Sequence, residues 1–378
     1  MVETTLTLEE REMVNDLRKM VKDELTPSYD TDFNLLRWLQ GHNYDTKVVV
    51  PKLRYHLRFR KSCWNLDEMS KRPRDHPIQS HWPYGITSVS EKIENTIINI
   101  EQAGPNDYWG MLQTHSVTEV MKSRIQDLEI MLTEVMKLEK ATGKQASIIY
   151  VLDLNSLNFD KRLFSLVTGP LKTLTQFMSD HYVELFKYFI IVNAPSFMYN
   201  LWRLIRPLLP ERTKGKVRIL GGDWREQILE YSQPSALPDF WNIDGNVTFT
   251  AKILPSVKFD EKLYYREDYI LGDTCQQVTV AAGKTEYVTI FAKLGATLKW
   301  TIHANGEFGF GVFCTDDENE VDESKMDMVY PQITLMSGPT VVPLKDSVFC
   351  KKSGIYKFWL SNRHAWWHTL KIQYDISA

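Results

Sequence analysis

The chain changes its hydrophobic rhythm twice, and the changes divide it into three parts. Residues 1 to about 70 repeat apolar positions at the three-to-four spacing of amphipathic helices. "LTLEEREMVNDLRKMVKDEL" has that period, with Thr5 or Thr7 placed to cap its start. "DTDFNLLRWLQGHNYD" follows with Phe33, Leu36 and Leu39 or Trp38 on one side, and Asp45 can cap a third helix, "TKVVVPKLRYHLRFRKSCW". Pro51 sits inside that third pattern and predicts a kink near Lys47. From about 71 to 245 helical stretches alternate with apolar strands. "TIINIEQA", "WGMLQT", "ASIIYVLDL", "KYFIIVNA" and "KVRILGG" read as strands. "VTEVMKSRIQDLEIMLTEVMKLEKATG" reads as a long helix stopped by Gly143, and "RLFSLVTGPLKTLTQFMSDHY" as another. Buried strands separated by helices predict an α/β layer with at least partly parallel pairing. After about 246 the pattern alternates and turns every eight to twelve residues, as in "QVTVAAGKTEYVTIFAKLGATLKWTIHANGEFGFGVF" and "GIYKFWLSNRHAWWHTLKIQYDI". That predicts an all-β sandwich, with "NVTFTAKILPSVKFDEKLYY" as the connection into it. The expected parts are therefore 1–70, 71–245 and 246–378.

One helical stretch is too apolar for a simple surface. In "NAPSFMYNLWRLIRPLLP", residues 193–210, Phe197, Met198, Leu201, Trp202, Leu204, Ile205, Leu208 and Leu209 crowd the cylinder. Asn200, Arg203 and Arg206 leave only a narrow polar edge, where a surface helix usually shows a narrower apolar stripe. Such a helix needs partners on more than one side. It is not a membrane span: the two arginines interrupt it, and no apolar run reaches the ~20 residues a span requires.

Composition adds exclusions. The chain has 378 residues, 43% hydrophobic and 25% charged, with a net charge of −3, so no bulk basic field calls for nucleic acid. The N-terminus "MVETTLTLEEREMVNDL" is acidic where a secretion signal needs a basic start and an apolar core, which leads us to expect a cytosolic protein. Cys63, Cys275, Cys314 and Cys350 are scattered without metal spacing, as expected of reduced thiols. No GxSxG elbow, Walker loop or HExxH occurs, so an enzyme is not expected. "GEFGFG" lies in an alternating strand with the wrong glycine spacing for a dinucleotide. In "HAWWH", His364 and His368 are four apart on strand-like flanks, where that spacing does not suit a metal. "DDENEVDESK", 316–325, lacks the mid-loop glycine of a calcium loop and reads as a solvated connection. Asp153 ends an apolar strand without a nucleophile or histidine in its pattern, so a turn or capping role is expected. No metal and no cofactor is implied.

"DTDFNLLRWLQGHNYDTKVVVPKLRYHLRFRK" resembles the N-terminal helices of the CRAL-TRIO lipid-binding family, whose pattern is D-x-x-L-L-R-F-L-x-A-R-x-F-D; Asp32, Leu35, Leu36, Arg37, Leu39 and Asp45 match. "SIIYVLDLNSL" looks like the family's central strand. "HYVELFKYFIIVNAPSFMYNLWRLIRPLLPERTKGKVRILGG" is similar to its diagnostic block, which runs Y-P-E, a strand ending N-A-P, an apolar helix, T-x-x-K and a last strand. "SALPDFW" resembles its L-P-x-x-Y ending, and the C-terminal region looks like a GOLD domain.

The resemblance implies a multidomain protein: N-terminal helices, an α/β CRAL-TRIO lipid-binding cavity domain with a mixed, mostly parallel sheet, then a GOLD β-sandwich. It implies that the apolar helix is a gate over a cavity holding one lipid. In phosphatidylinositol-transferring members the headgroup site is a Glu, the Thr and Lys of T-x-x-K, and an Arg-Lys pair. Here Glu184, Thr213 and Lys216 fill the first three positions, while His42 and Asn43 replace the basic pair. Two residues that lack fixed charge hold a phosphate less well, which implies weak phosphatidylinositol binding unless Arg37 or another base substitutes. Ile148 and Tyr150 stand where those members have residues beside a phosphocholine group, leaving room for an apolar ligand such as a tocopherol, a squalene-like terpenoid or a retinoid. Between 196 and 221 six basic residues meet one acid; Arg203, Arg206, Arg212, Lys214 and Arg218 are candidates for docking on an anionic membrane. The expected function is transfer of one hydrophobic ligand (phospholipid, tocopherol or terpenoid-like) with transient membrane association and no nucleic acid. The alternative is a lipid-responsive sensor or scaffold whose GOLD domain binds a partner protein.

Overall fold

The computed structural model describes residues 5–83, 85–158, 161–208, 211–244, 248–266 and 275–378. Three helices open the chain: α1 (Leu8–Met20), α2 (Asp32–Gly41) and α3 (Thr46–Lys61). Each begins at a side chain that satisfies an orphan backbone donor. Thr7 and Glu10 form a reciprocal capping box, Thr31 accepts from the Asn34 amide, and Asp45 accepts from the Lys47 amide. The helix α3 continues through Pro51 without a break in its helical assignment. Two single turns follow, α4 (Leu66–Met69) and α5 (Ile78–His81).

The α/β part contains β1 (Ile86–Val89), β2 (Thr96–Glu101), α6 (Tyr108–Thr114), α7 (Val117–Thr142), β3 (Ser147–Asp153), α8 (Lys161–Leu166), α9 (Lys172–His181) and β4 (Phe186–Val192). It ends with α10 (Phe197–Ile205), α11 (Glu211–Lys216), β5 (Val217–Ile219) and α12 (Trp224–Gln227). A π-helical segment, Val167–Leu171, joins α8 to α9 and contains Pro170. The sheet order is β1-β2-β3-β4-β5, with β1 antiparallel and the other neighbours parallel. One sequence expectation fails here. "WGMLQT" is not a strand but the body of α6, because the Asp107 carboxylate accepts from the Gly110 amide at 2.9 Å and starts a helical turn. A stretch of six residues is too short for its period to separate the two cases.

The crossovers α7, α8–α9 and α10–α11 connect successive parallel strands in one direction, so right-handed connections put all three on the same side of the sheet. Register fixes which side chains they cover. Ile97, Asn99 and Glu101 lie beside Ile148, Tyr150 and Leu152, followed by Phe189 and Ile191, then Val217 and Ile219. The opposite side, with Ile98, Ile149, Val151 and Ile190, packs on Trp224, Ile228, Leu237 and Trp241.

After the connection, β6 (Gln276–Val280), β7 (Thr285–Ala292), β8 (Thr297–Ala304), β9 (Phe308–Thr315), β10 (Asp327–Met336), β11 (Leu344–Phe349), β12 (Gly354–Ser361) and β13 (Leu370–Ser377) form two antiparallel sheets, β10-β9-β12-β7 and β11-β8-β13-β6. Their inner sides share one aromatic core in which Trp300, Phe310, Tyr330 and Phe358 are buried. The sandwich is also bonded to the helices. The Cys63 amide donates to the Val329 carbonyl at 2.8 Å, Arg58 to the Glu323 carbonyl at 2.9 Å, and Trp64 meets Tyr330 edge-on at 5.5 Å. The connecting segment is strapped to the α/β part: the Tyr265 amide reaches the Gln113 carbonyl at 2.7 Å, and Phe259 stacks on His81 at 3.6 Å.

Candidate functional site

The site forms where apolar side chains of the sheet remain partly uncovered. Under α7 the packing is tight: Ile148 is fully buried and Tyr150 almost so. Tyr150 binds Glu101 and Arg124, and the Arg124 guanidinium lies 4.6 Å from the Trp82 ring centre. These two predicted lining residues therefore belong to the packed core. Further along the same side, Leu152 and Phe189, on the central strand β3 and its neighbour β4, and Val217 and Ile219, on the edge strand β5, are only partly buried. Leu152, Val217 and Ile219 pack around Ile191 with Leu157, Ala194 and Met198, the last from α10, while Phe189 packs with Tyr150 and Phe186. Period-two counting along "IIYVLDL" and "YFIIV" marks Leu152 and Phe189 as one side of a sheet; only the tertiary contacts show that α10 meets the patch, through Met198.

The start of α10 is set by Asp153, as the turn role predicts. Its carboxylate accepts from the Asn193 side-chain amide at 2.8 Å, the Asn155 backbone amide at 2.9 Å and the Trp241 indole at 2.7 Å. Asn193 has φ 53°, a left-handed conformation that asparagine tolerates better than most residues. The chain then turns through Ala194 and Pro195 into α10, whose Ser196 makes no side-chain cap. Phe197, Met198 and Trp202 are half-buried, Tyr199 is exposed, and none of the described α10 side chains is buried. The side chains of Leu201, Leu204, Ile205 and Leu208, and all of Leu209, lie outside the described residues. An open depression of about 520 Å³ lies at the C-terminal ends of β3, β4 and β5, lined by Asn155, Asn193, Tyr199, Leu220 and Trp224 among others. That edge of a parallel sheet is where ligands of open α/β folds bind.

A charged cluster forms at the other end of these crossovers. Glu184 takes Lys216 at 2.8 Å and Arg212 at 3.3 Å. Arg212 also donates to the Gln40 carbonyl at 2.5 Å and to the Asn43 side-chain oxygen. Gly41 permits this approach, since a Cβ there would collide with Val183 Cγ1. Asn43, Tyr44 and Glu184 all have left-handed φ, at 54°, 59° and 52°. Such backbone strain costs of order 1–3 kcal/mol per residue and concentrates at functional sites. Thr213 is half-buried one turn before Lys216.

Four of the five predicted headgroup residues thus gather here, and His42 stands beside them in a different role. Its Nδ1 lies 2.9 Å from the Trp38 carbonyl and its ring stacks on Trp38, so Nδ1–H is engaged and burial holds the imidazole below its usual pKa. A neutral ring of that tautomer offers an acceptor, not a donor, to a phosphate. Arg37 cannot substitute: it is buried and paired with Glu139 and the Ala146 carbonyl. The base that stands beside Asn43 is Arg212, which sequence reading assigned to the docking edge. Of the other docking candidates, Arg203 and Arg206 are exposed, Lys214 pairs with Glu211 at 2.6 Å, and Arg218 lies over the Tyr188 ring on the opposite side of the sheet.

Sequence reading also passed over His76, His115 and Glu119, which converge with Glu119 Oε1 3.5 Å from a nitrogen of each ring. Glu119 caps α7 through Ser116, and His76 Nδ1 accepts from the Ile78 amide at 3.3 Å, which leaves Nε2 as the donor toward Glu119 in the neutral ring. These partners hold the carboxyl far below its usual range despite its partial burial. His364 and His368 of "HAWWH" do not come together as ligands among the described residues.

Residues 97–242 match the CRAL/TRIO domain profile. Residues 6–69 match a domain of unknown function, DUF8435, and residues 263–378 match the "F28H7_8_C-like, C-terminal domain" profile. The chain is 26% identical over 360 residues to the CRAL-TRIO domain-containing protein F28H7.8 of Caenorhabditis elegans, covering 93% of this chain and 86% of that one. It is 24% identical over 253 residues to the phosphatidylinositol/phosphatidylcholine transfer protein SFH9 of Arabidopsis thaliana, covering 63% of this chain but only 41% of the plant protein. The crystal structure of Sfh5 superposes with a TM-score of 0.50 at 15% identity, over 67% of this chain and 94% of that one, which is a likeness of fold. No described helix is long and apolar enough to cross a membrane.

Proposed function

We propose that this protein carries one lipid between membranes, with its acyl chains on the half-buried apolar positions of the sheet and α10 as the gate. The observation that carries the reading is the contrast on one side of one sheet: Tyr150 is 2% exposed beneath α7, while Leu152, Val217 and Ile219, which cluster with Met198 of α10 around Ile191, stay only partly buried. A lipid replaces water there at a gain of ~0.8 kcal/mol per buried CH₂, so the apolar surface supplies most of the affinity. The reading is one of binding and transfer, not catalysis, with the protein in the cytosol and membrane contact transient. We read its parts as 1–70, 71–245 and 246–378, with the last as a GOLD-like sandwich. That order is the one found in the animal lipid-binding proteins called supernatant protein factor and tocopherol-associated protein.

Glu184, Arg212, Lys216, Thr213 and Asn43 form the headgroup end of the proposal. One acid against two bases leaves a net positive cluster, and a guanidinium offers a phosphate paired donors. Arg212 therefore moves the expectation from a tocopherol or terpenoid toward an anionic phospholipid. The name of the plant relative, a phosphatidylinositol/phosphatidylcholine transfer protein, supports the same class. The sensor or scaffold alternative draws support from the bonds of Arg58 on α3 to Glu323 and of Cys63, just after α3, to Val329 on β10, through which lipid occupancy would reach the sandwich. The test is mass spectrometry of lipids retained by the purified chain, followed by competition between phosphatidylinositol, phosphatidylcholine and tocopherol in mixed vesicles. Arg212→Ala with Lys216→Ala is expected to lower phosphatidylinositol uptake about tenfold or more, at 1.5–3 kcal/mol per charge-assisted bond, while sparing tocopherol uptake. Equal phosphatidylinositol uptake by the folded double variant would show that the cluster is only structural.

A further inference from the structure

Trp366 and Trp367 are 89% and 79% exposed. The other tryptophans of the sandwich, Trp300 and Trp359, are 3% and 1% exposed, so this fold buries indoles where they serve its core. The exposed pair sits on the turn between β12 and β13, and the turn is well fixed. Asn362, 2% exposed, donates from its side chain to the Val280 carbonyl at 3.1 Å and to the His368 carbonyl at 2.7 Å. The Ala365 amide closes the turn on the Asn362 carbonyl at 3.1 Å, and the Trp367 indole N–H donates to His368 Nε2 at 3.0 Å. Two rings are thus held out in water by a buried base.

We propose that this turn is a bilayer anchor, inserting Trp366 and Trp367 at the headgroup level of an anionic membrane. Three observations select a lipid surface over other partners. The indole has an apolar body and one N–H, which is why tryptophan collects at membrane interfaces. Arg363 pairs with Glu323 at 2.8 Å and His364 lies 3.9 Å from Glu307, so the basic charge that suits an anionic leaflet is that of exposed Lys371 and of exposed Lys172 at the neighbouring start of α9. The same end of the sandwich meets the crossover helices: Ser337 Cβ lies 3.7 Å from where a Cβ of Gly169 would sit, and His364 feels the charge of exposed Lys172 at the start of α9. In strand order α8–α9 is the crossover next to α10. The anchor would bring the sandwich to the surface at which the gate must open. The choice of partner rests on the lipid-carrier reading; the exposure and fixation of the turn do not.

The experiment uses the full chain as wild type, Trp366→Ala with Trp367→Ala, and Trp366→Phe with Trp367→Phe. Each is co-sedimented with phosphatidylcholine vesicles with and without phosphatidylserine. The alanine pair is expected to keep its thermal midpoint and to lose about tenfold or more of its vesicle affinity, a difference of ~1.4 kcal/mol. With brominated acyl chains, wild type is expected to lose a fraction of its fluorescence that the phenylalanine pair does not lose. Vesicle binding of the folded alanine pair equal to wild type overturns the proposal. So does a fall in oligomeric mass for that pair with vesicle affinity unchanged, which would make the turn a self-association surface. Cargo measured on the same samples separates the two readings. A wild-type chain without lipid sinks the carrier, while the anchor still stands or falls on sedimentation.

Discussion

The crossovers α7 and α10 do the same topological work and have opposite chemistry. Both carry the chain over one side of the sheet between parallel neighbours. The helix α7 starts with a capping box at Ser116 and Glu119 and ends at left-handed Gly143. Its buried charges each find an opposite partner outside the helix: Arg124 with Glu101, Asp127 with Arg74, Glu129 with Arg60 and Glu139 with Arg37. The helix α10 lacks a side-chain cap, leaves Arg203 and Arg206 exposed, and buries none of its described side chains. A helix locked by paired buried charges can move only by stranding them. A helix whose described side chains lean on apolar surface can leave when another apolar surface replaces the first.

The comparison predicts its largest effect at Glu129. Its carboxylate holds Arg60 at 2.9 and 3.0 Å and accepts from the Tyr182 hydroxyl at 2.8 Å. Glu129→Leu removes all three bonds and leaves Arg60 to Asp67, so we expect a loss of about 3–5 kcal/mol in denaturant unfolding. Phe197→Asp with Trp202→Asp, by contrast, is expected to stay within about 1 kcal/mol of wild type, because both positions are only half-buried. If the α10 pair cost more than Glu129→Leu, the division into a locked and a loose crossover would be wrong.

A second prediction concerns pH. His56 on α3 and His181 on α9 meet at 2.9 Å inside a buried ring cluster. Burial depresses both imidazoles, His181 to about 3 and His56 well below its ordinary value. Both are neutral in the folded chain, while the unfolded chain takes up protons below about pH 6.5. Stability is therefore full above that pH and is lost as pH falls toward 3, with a slope of ~1.4 kcal/mol per pH unit for each ring. Unfolding curves at pH 7, 6 and 5 check this; equal midpoints would show that the pair is not buried as described.

The smallest expected effect is on transfer rate. A carboxylate at the bilayer centre costs about 2.5–3.5 kcal/mol, and less near the surface. Phe197→Asp with Trp202→Asp should therefore slow vesicle-to-vesicle transfer about tenfold or more while leaving the fold. Wild-type transfer by the folded variant would remove α10 as the gate.

Much of this was legible in the sequence because it depends on local rules. Thr7, Asp45 and Gly143 are caps whose chemistry acts within one turn, and the long apolar periods of β2, β3, β4 and α7 tolerate small errors. "WGMLQT" was misread because a short apolar run carries no period, and Asp107 decided it from outside the run. The charged cluster at Glu184 was half legible: Glu184, Thr213 and Lys216 lie in a recognisable block. Arg212 was read as a surface charge because nothing in sequence says that it reaches residues 40 and 43.

By itself the sequence determined the three textures, the caps, the excess of apolar surface in 193–210 and the basic run beside it. These follow from composition within a few turns of chain. Only the tertiary structure decided which apolar positions stay uncovered, which arginine stands where a basic pair is missing, and that two tryptophans project from a fixed turn. Each of those depends on register or on contacts between residues far apart in the chain, such as Arg212 with Asn43 or Asn362 with Val280. Burial is a property of the packed neighbours, and the same leucine or arginine reads alike in sequence whether those neighbours arrive or not.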